Sequence, residues 1–197
     1  MRFFKGANAF TAFRLQQVHD SLKQYFPGLK NLEAYYGYFA DISGELSEDE
    51  MLRMQKILPD AFVAELPETA HLSFWIVPRI GTISPWSSKA TDIVHICDLH
   101  AVRRVERGIY YSLKGVGKID AMTPALAKQL VDIFDPLTES LIFDSVLLPQ
   151  LFIEHQPQPF TTIDVLDEGR AAIDHANSRL GLALEPQELD YLTKSYL

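Results

Sequence analysis

The sequence predicts an α+β fold: a pseudo-duplicated β-α-β-α domain with helices packed on a sheet, followed by an acidic, mainly helical stretch. Three observations carry that expectation. Residues 31–42 and 102–113 switch to a period of two, the signature of strands. Helix-capping signals precede apolar runs at helical spacing, and strands and helices come in the same order in 2–58 and in 71–134. The charge then divides the chain: residues 1–134 hold 15 acids and 15 bases, while 135–197 hold 11 acids against Arg170, Arg179 and Lys194. The whole formal net charge of −8 therefore lies past residue 134. We place the expected domains at 1–135 and 136–197, as the length of 197 residues suits one domain plus an appendage.

Residues 2–6 are a short opening strand, and Asn8 can cap a helix with Leu15, Val18, Leu22, Tyr25 and Phe26 on its apolar face. In 31–42, Leu32, Ala34, Tyr36, Tyr38, Ala40 and Ile42 share one face, with Glu33, Gly37 and Asp41 opposite. Ser47-Glu48-Asp49-Glu50 is a capping box opening a helix that turns Met51, Met54, Ile57 and Leu58 inward. His71–Val77 is rich in aromatic and branched residues, hence a strand. Ser84-Pro85 starts a helix reaching about Asp98, with serine as cap and proline at the first turn. A strand over 102–113 and a helix capped by Thr123-Pro124, with Leu126, Leu130, Ile133 and Phe134 inward, complete the second half. Beyond Asp135-Pro136, residues 137–153 are strongly apolar but broken at Pro149, and Gln156-Pro157-Gln158-Pro159 is extended. A helix with Leu166, Gly169, Ile173, Ala176 and Leu180 stops at Gly181, and another starts at Pro186. The pattern is still running at Leu197, which reads as a cut.

Several classes drop out. No apolar run approaches the ~18 residues a membrane span needs, and no opening stretch resembles a signal peptide. A single cysteine, Cys97, cannot form an internal disulfide, so the cytoplasm is the expected compartment. The absence of a concentrated basic surface argues against nucleic acid as a partner. No catalytic, cofactor-binding or metal-binding residue is assigned. His95-x-Cys97-x-x-His100 lacks the further ligands zinc requires; with Ile93 and Ile96, Cys97 and His100 read as the buried side of the helix, and His95 turns away. Gly115-Val116-Gly117-Lys118 has Ser112 and Ile119 where a phosphate loop needs glycine and Ser/Thr, and reads as a turn.

Two places stay open. Residues 78–92 leave a strand, pass Gly81, and enter a helix through hydroxyls. Arg79, Thr82, Ser84, Trp86, Ser87, Ser88 and Lys89 there are candidates for an interdomain or anion contact, since helix-start amides favour negative charge. The bland alternative has Ser84 capping the helix and Trp86 packing on the sheet. Arg103 and Arg107, on one strand face, are a candidate ion-pair surface or simply solvated charge.

The segment PRIGTISPWSSKATDI (78–93) closely resembles the N-terminal region of the long, single-chain phosphoribosylformylglycinamidine synthases of purine biosynthesis. GANAFTAFR (6–14), VERG (105–108), LFIEHQPQP (151–159) and GRAAIDHANSRLGLAL (169–184) extend the resemblance, in order, along nearly the whole chain. The resemblance implies an N-terminal domain similar to a dimer of the small subunit of split synthases, then a helical linker. Synthetase and glutaminase domains follow as partners within the parent chain. It implies ATP and magnesium as cofactors of the parent, with glutamine as ammonia donor. The parent converts an amide to an amidine through an iminophosphate. None of the family's catalytic residues falls in this chain, so it is expected to be inactive alone and to support domain packing and the ammonia route. A stand-alone binding module, or a regulatory subunit of a separate synthetase, is the rival expectation.

Overall fold

The computed structural model describes residues 1–68, 71–118, 123–130, 133–153 and 159–197. They form two units, Met1–His155 and Gln156–Leu197. In the first, β1 (Arg2–Asn8), α1 (Ala12–Tyr25), β2 (Asn31–Ile42) and α2 (Glu48–Ile57) make one half. The other half is β4 (His71–Pro78), α3 (Pro85–Ile96), β5 (Val102–Gly117) and α4 (Pro124–Gln129). Two short strands, β3 (Phe62–Val63) and β6 (Glu139–Ile142), extend the edges of an antiparallel sheet ordered β3-β1-β2-β5-β4-β6. The inner order β1-β2-β5-β4 is symmetric about the β2–β5 ladder, where Gly37 faces Gly108. The α+β class and the repeated β-α-β-α order are therefore both present.

Helices cover one sheet face. Leu22 of α1 and Leu126 of α4 pack on Leu32, Leu72 and Leu113, while Met54 of α2 and Val94 of α3 pack on Phe4, Val102 and Val105. Ser47 and Glu50 form the expected capping box, and the Thr123 hydroxyl accepts from the Leu126 amide at 3.1 Å. The first helix begins later than expected. Asn8 is still paired with Tyr35 in the sheet, and Thr11 caps α1 instead. Gly115-Val116-Gly117 is strand, not turn. The β4–β5 register slips there, and Gly115, at φ 94°, lies against the Gly28 carbonyl, 2.3 Å from where a Cβ would sit. Only glycine suits that bulge.

The opposite face is also buried. Phe3, Tyr35, Phe39, Trp75, Val77 and Tyr110 lie under Ile142, Leu148 and Leu151. The last two belong to a 3₁₀ helix over Ser145–Phe152, which tolerates Pro149 because it is short and irregular. β6 pairs with β4, the Trp75 indole donates to the Ser145 hydroxyl at 3.3 Å, and Arg104 donates to the Leu151 carbonyl. The expected division at 135/136 thus falls inside the first unit, which runs to His155. The charge change marks a surface property; the apolar 139–152 stretch must still cover an aromatic sheet face.

In the second unit the helix expected from 166 to 180 is divided. Gly169, at φ 59°, separates α5 (Val165–Glu168) from α6 (Arg170–Leu180), and left-handed Gly181 ends α6 as expected. Ala172, Ile173, Ala176 and Leu189 of α7 (Pro186–Tyr196) are its buried residues, while Leu166 and Leu180 are exposed. Arg170 and Asp190 pair at 2.6 Å between α6 and α7. Residues 156–158 of the expected extended stretch lie outside the described residues. No helix among the described residues is long and apolar enough to cross a membrane.

Candidate functional site

The site begins with an edge that, among the described residues, no strand covers. β4 pairs with β5 from Ile109 onward, leaving residues 102–107 without a strand neighbour on that side. α3 lies along this edge instead. Its positions 84, 87, 91 and 95, spaced three, four and four apart, form one helical stripe. The Ser87 hydroxyl donates to the Val105 carbonyl at 2.6 Å, and the Thr91 hydroxyl accepts from the Val105 amide at 3.1 Å. His95 Nε2 donates to the Val102 carbonyl at 2.7 Å, which fixes its tautomer. These side chains replace the missing ladder, as buried backbone groups require. The inward side of α3 therefore carries a polar stripe beside the buried Ala90 and Val94, and the sequence expectation for its C-terminal half is reversed. Ile93 and Ile96 are exposed, as is His100, while His95 points in; Cys97 is partly exposed. Among the described residues no group of three or more His, Cys, Asp or Glu is placed to hold a metal.

The start of α3 is occupied by the chain's own anion. Ser84 Oγ accepts from the Ser87 amide at 2.9 Å and donates to Glu106 at 2.8 Å. The Ser84 and Arg107 amides also donate to the Glu106 carboxylate, which is 1% exposed. The position where an external anion was conceivable therefore holds Glu106. Removing this docking is costly: Ser87 is fully buried, so Ser87→Ala leaves the Val105 carbonyl unpaired and should lose about 2 kcal/mol. Thr91→Val, close in shape, should cost about 1 kcal/mol by leaving the Val105 amide without its acceptor. Urea unfolding of the two variants checks both values; wild-type midpoints would show that α3 is held by packing alone.

Beside this capped start, Arg107 sits over the rings of Tyr36 and Trp86, at 4.7 and 5.0 Å. Trp86 stacks on Tyr38 at 5.7 Å, so the indole does pack on the sheet. Burial raises the Tyr38 phenol above its ordinary pKa, and Arg107 opposes that rise. Tyr36, Trp86 and Arg107 line a groove of about 510 Å³, with Arg79, Ile83, Leu137 and Glu139 also on its walls. The remaining candidates scatter. Thr82 closes a turn by donating to the Arg79 carbonyl at 2.6 Å; Ser88 donates to the Ser84 carbonyl; Arg79 and Lys89 are exposed. Arg103 pairs with Asp41 at 2.7 Å, whereas Arg107 has rings in place of a carboxylate. The sequence reading left out Tyr36 and Glu106. No local pattern marks either: across the strands Tyr36 faces Ile109 and Glu106 faces Phe39.

A larger cavity of about 1010 Å³ opens on the other face against Trp75 and Tyr110. Its aromatic polar groups are paired with Ser145 and Ser73.

A sheet of two β-α-β-α halves, bearing an arginine groove and a helix-start anion supplied internally, defines a duplicated α+β domain. Residues 35–152 match the family model described as formylglycinamide ribonucleotide amidotransferase N-terminal. The chain belongs to this family, the N-terminal region of an amidotransferase of purine biosynthesis. The match ends at the last residue of the 3₁₀ helix, within the first structural unit.

Proposed function

We propose that this chain is the N-terminal scaffold of a single-chain phosphoribosylformylglycinamidine synthase. It docks against the synthetase domain and helps enclose the path of ammonia from the glutaminase domain. ATP, magnesium and glutamine are handled by those other domains, and residues 156–197 act as the linker toward them. The parent is an ATP-dependent carbon–nitrogen ligase; this chain alone binds neither ATP nor glutamine. The observation that carries the reading is the family match over 35–152, which contains the whole 78–93 segment. Further support is what that segment leaves outward: Arg79, Lys89 and the apolar Ile83 and Ile93, with Ile96 just beyond it, make no use of the domain's own core. Large apolar side chains left exposed suit a contact surface.

In the intact amidotransferase, Arg79→Ala with Lys89→Ala should raise the glutamine hydrolysed per amidine formed, while synthesis from added ammonia largely persists. A fall in the ammonia-driven reaction through a raised substrate KM would instead make these residues holders of the substrate phosphate. Wild-type kinetics in both assays, with unchanged stability, would return them to solvated charge.

A further inference from the structure

We infer that the Arg107 groove is a carboxylate receptor, taking an aspartate or glutamate side chain presented by a neighbouring domain of the same enzyme. The inference rests on the docking reading above and names the chemistry of its contact. Arg107 lies in the groove with its charge unpaired: among the described residues no hydrogen bond or ion pair engages its guanidinium, and the Glu139 carboxylate on the same wall accepts from the Asp135 amide. The adjacent carboxylate, Glu106, is spent on Ser84 and on the Arg107 amide. The guanidinium lies over the Tyr36 and Trp86 rings, contacts that use none of its N–H donors in a hydrogen bond, so those donors remain for a ligand. A fork fixed in advance loses little side-chain freedom on binding, and its parallel N–H groups match the two oxygens of a carboxylate.

The surroundings select among anions. A phosphate dianion would draw on several convergent donors, yet the α3 start is already filled by Ser84 and Glu106. The buried Glu106 charge beside Arg107 further opposes a double negative charge. Apolar walls from Ile76, Val77, Ile83 and Leu137 suit a side chain carried on a protein surface. Tyr, Trp and Arg together are also the residues that dominate protein contacts.

The test reads cover over the groove as the alkylation rate of the thiol at position 83 in an Ile83→Cys variant, resolved from that of Cys97 by peptide mass spectrometry. In the intact amidotransferase this rate should be about tenfold or more below that in the 197-residue chain. Adding Arg107→Met should restore fast alkylation, and Arg107→Lys, which keeps charge and fold but not the fork, should restore part of it. One Asp→Asn or Glu→Gln replacement elsewhere in the enzyme should reproduce the effect of Arg107→Met and add nothing to it. Should Arg107→Met fail to fold, Arg107→Lys decides. Slow alkylation that neither Arg107 variant changes would overturn the inference while leaving the docking reading intact. Equal rates in the intact enzyme and the 197-residue chain would overturn both. If inorganic phosphate at millimolar concentration slows alkylation of the 197-residue chain, and Arg107→Met abolishes this, the groove takes phosphate and the carboxylate assignment fails. If no acidic residue elsewhere reproduces the effect, it fails as well.

Discussion

Ending the chain at Asp135 is expected to abolish cooperative folding of the first unit, whereas ending it at His155 is expected to preserve it. The shorter chain loses Ile142, Leu148 and Leu151, all buried against the aromatic face. At about 1.5–3 kcal/mol for each large apolar side chain, the loss is on the order of 6 kcal/mol, comparable with the entire stability of a typical domain. Trp75, now 1% exposed, would meet water together with Tyr35 and Tyr110, and β4 would lose its outer strand. Near-ultraviolet circular dichroism should vanish while the helical far-ultraviolet signal partly survives, and a hydrophobic dye should bind. A chain of 135 residues with a sharp thermal transition matching the longer one would show that residues 139–152 are an appendage.

Gly37→Ala should cost about 3 kcal/mol, the upper end of ordinary overpacking effects. An added Cβ would stand 2.3 Å from Trp75 Cζ3, 2.6 Å from Cη2 and 3.0 Å from Phe3 Cε2. The indole has no room to withdraw. Phe3, Tyr35, Phe39 and Tyr110 surround it at ring separations between 4.9 and 6.1 Å. Gly117→Ala is the control, since nothing lies within 4 Å of its added carbon, and its effect should stay within about 0.5 kcal/mol. Chemical denaturation of the two variants separates a steric role for Gly37 from a general cost of alanine in strands.

Local signals were legible. The period-two stretches, the Ser47–Glu50 box, the Ser84 and Thr123 caps and the Gly181 stop all stand where local chemistry placed them. Long-range consequences were not. Tyr35 and Phe39 look like breaks in an alternation whose far face is solvated, until a strand and 3₁₀ helix more than 100 residues later cover them. A four-residue strand and a proline-containing 3₁₀ helix carry too little periodicity to announce that return. The hydroxyls of α3 read equally well as a solvent face, because nothing local tells that the helix also bonds along an open strand edge. The clamp on Arg107 needs the β2–β5 register, which fixes Tyr38 opposite it and brings Tyr36 and Trp86 to its sides. Arg103 and Arg107 looked alike in sequence, yet one is neutralised by Asp41 and the other is not.

Reconstitution in trans separates a scaffold from a dispensable domain. The remainder of the parent enzyme, lacking this chain, is mixed with the 197-residue chain, and amidine formation is followed with glutamine and, separately, with ammonia. The account predicts that glutamine-driven synthesis depends on adding the chain, at one-to-one stoichiometry, while the chain alone shows no ATP hydrolysis and no ATP binding by calorimetry. Glutamine-driven synthesis by the remainder at the full rate without the chain, or micromolar ATP binding by the chain alone, would contradict it.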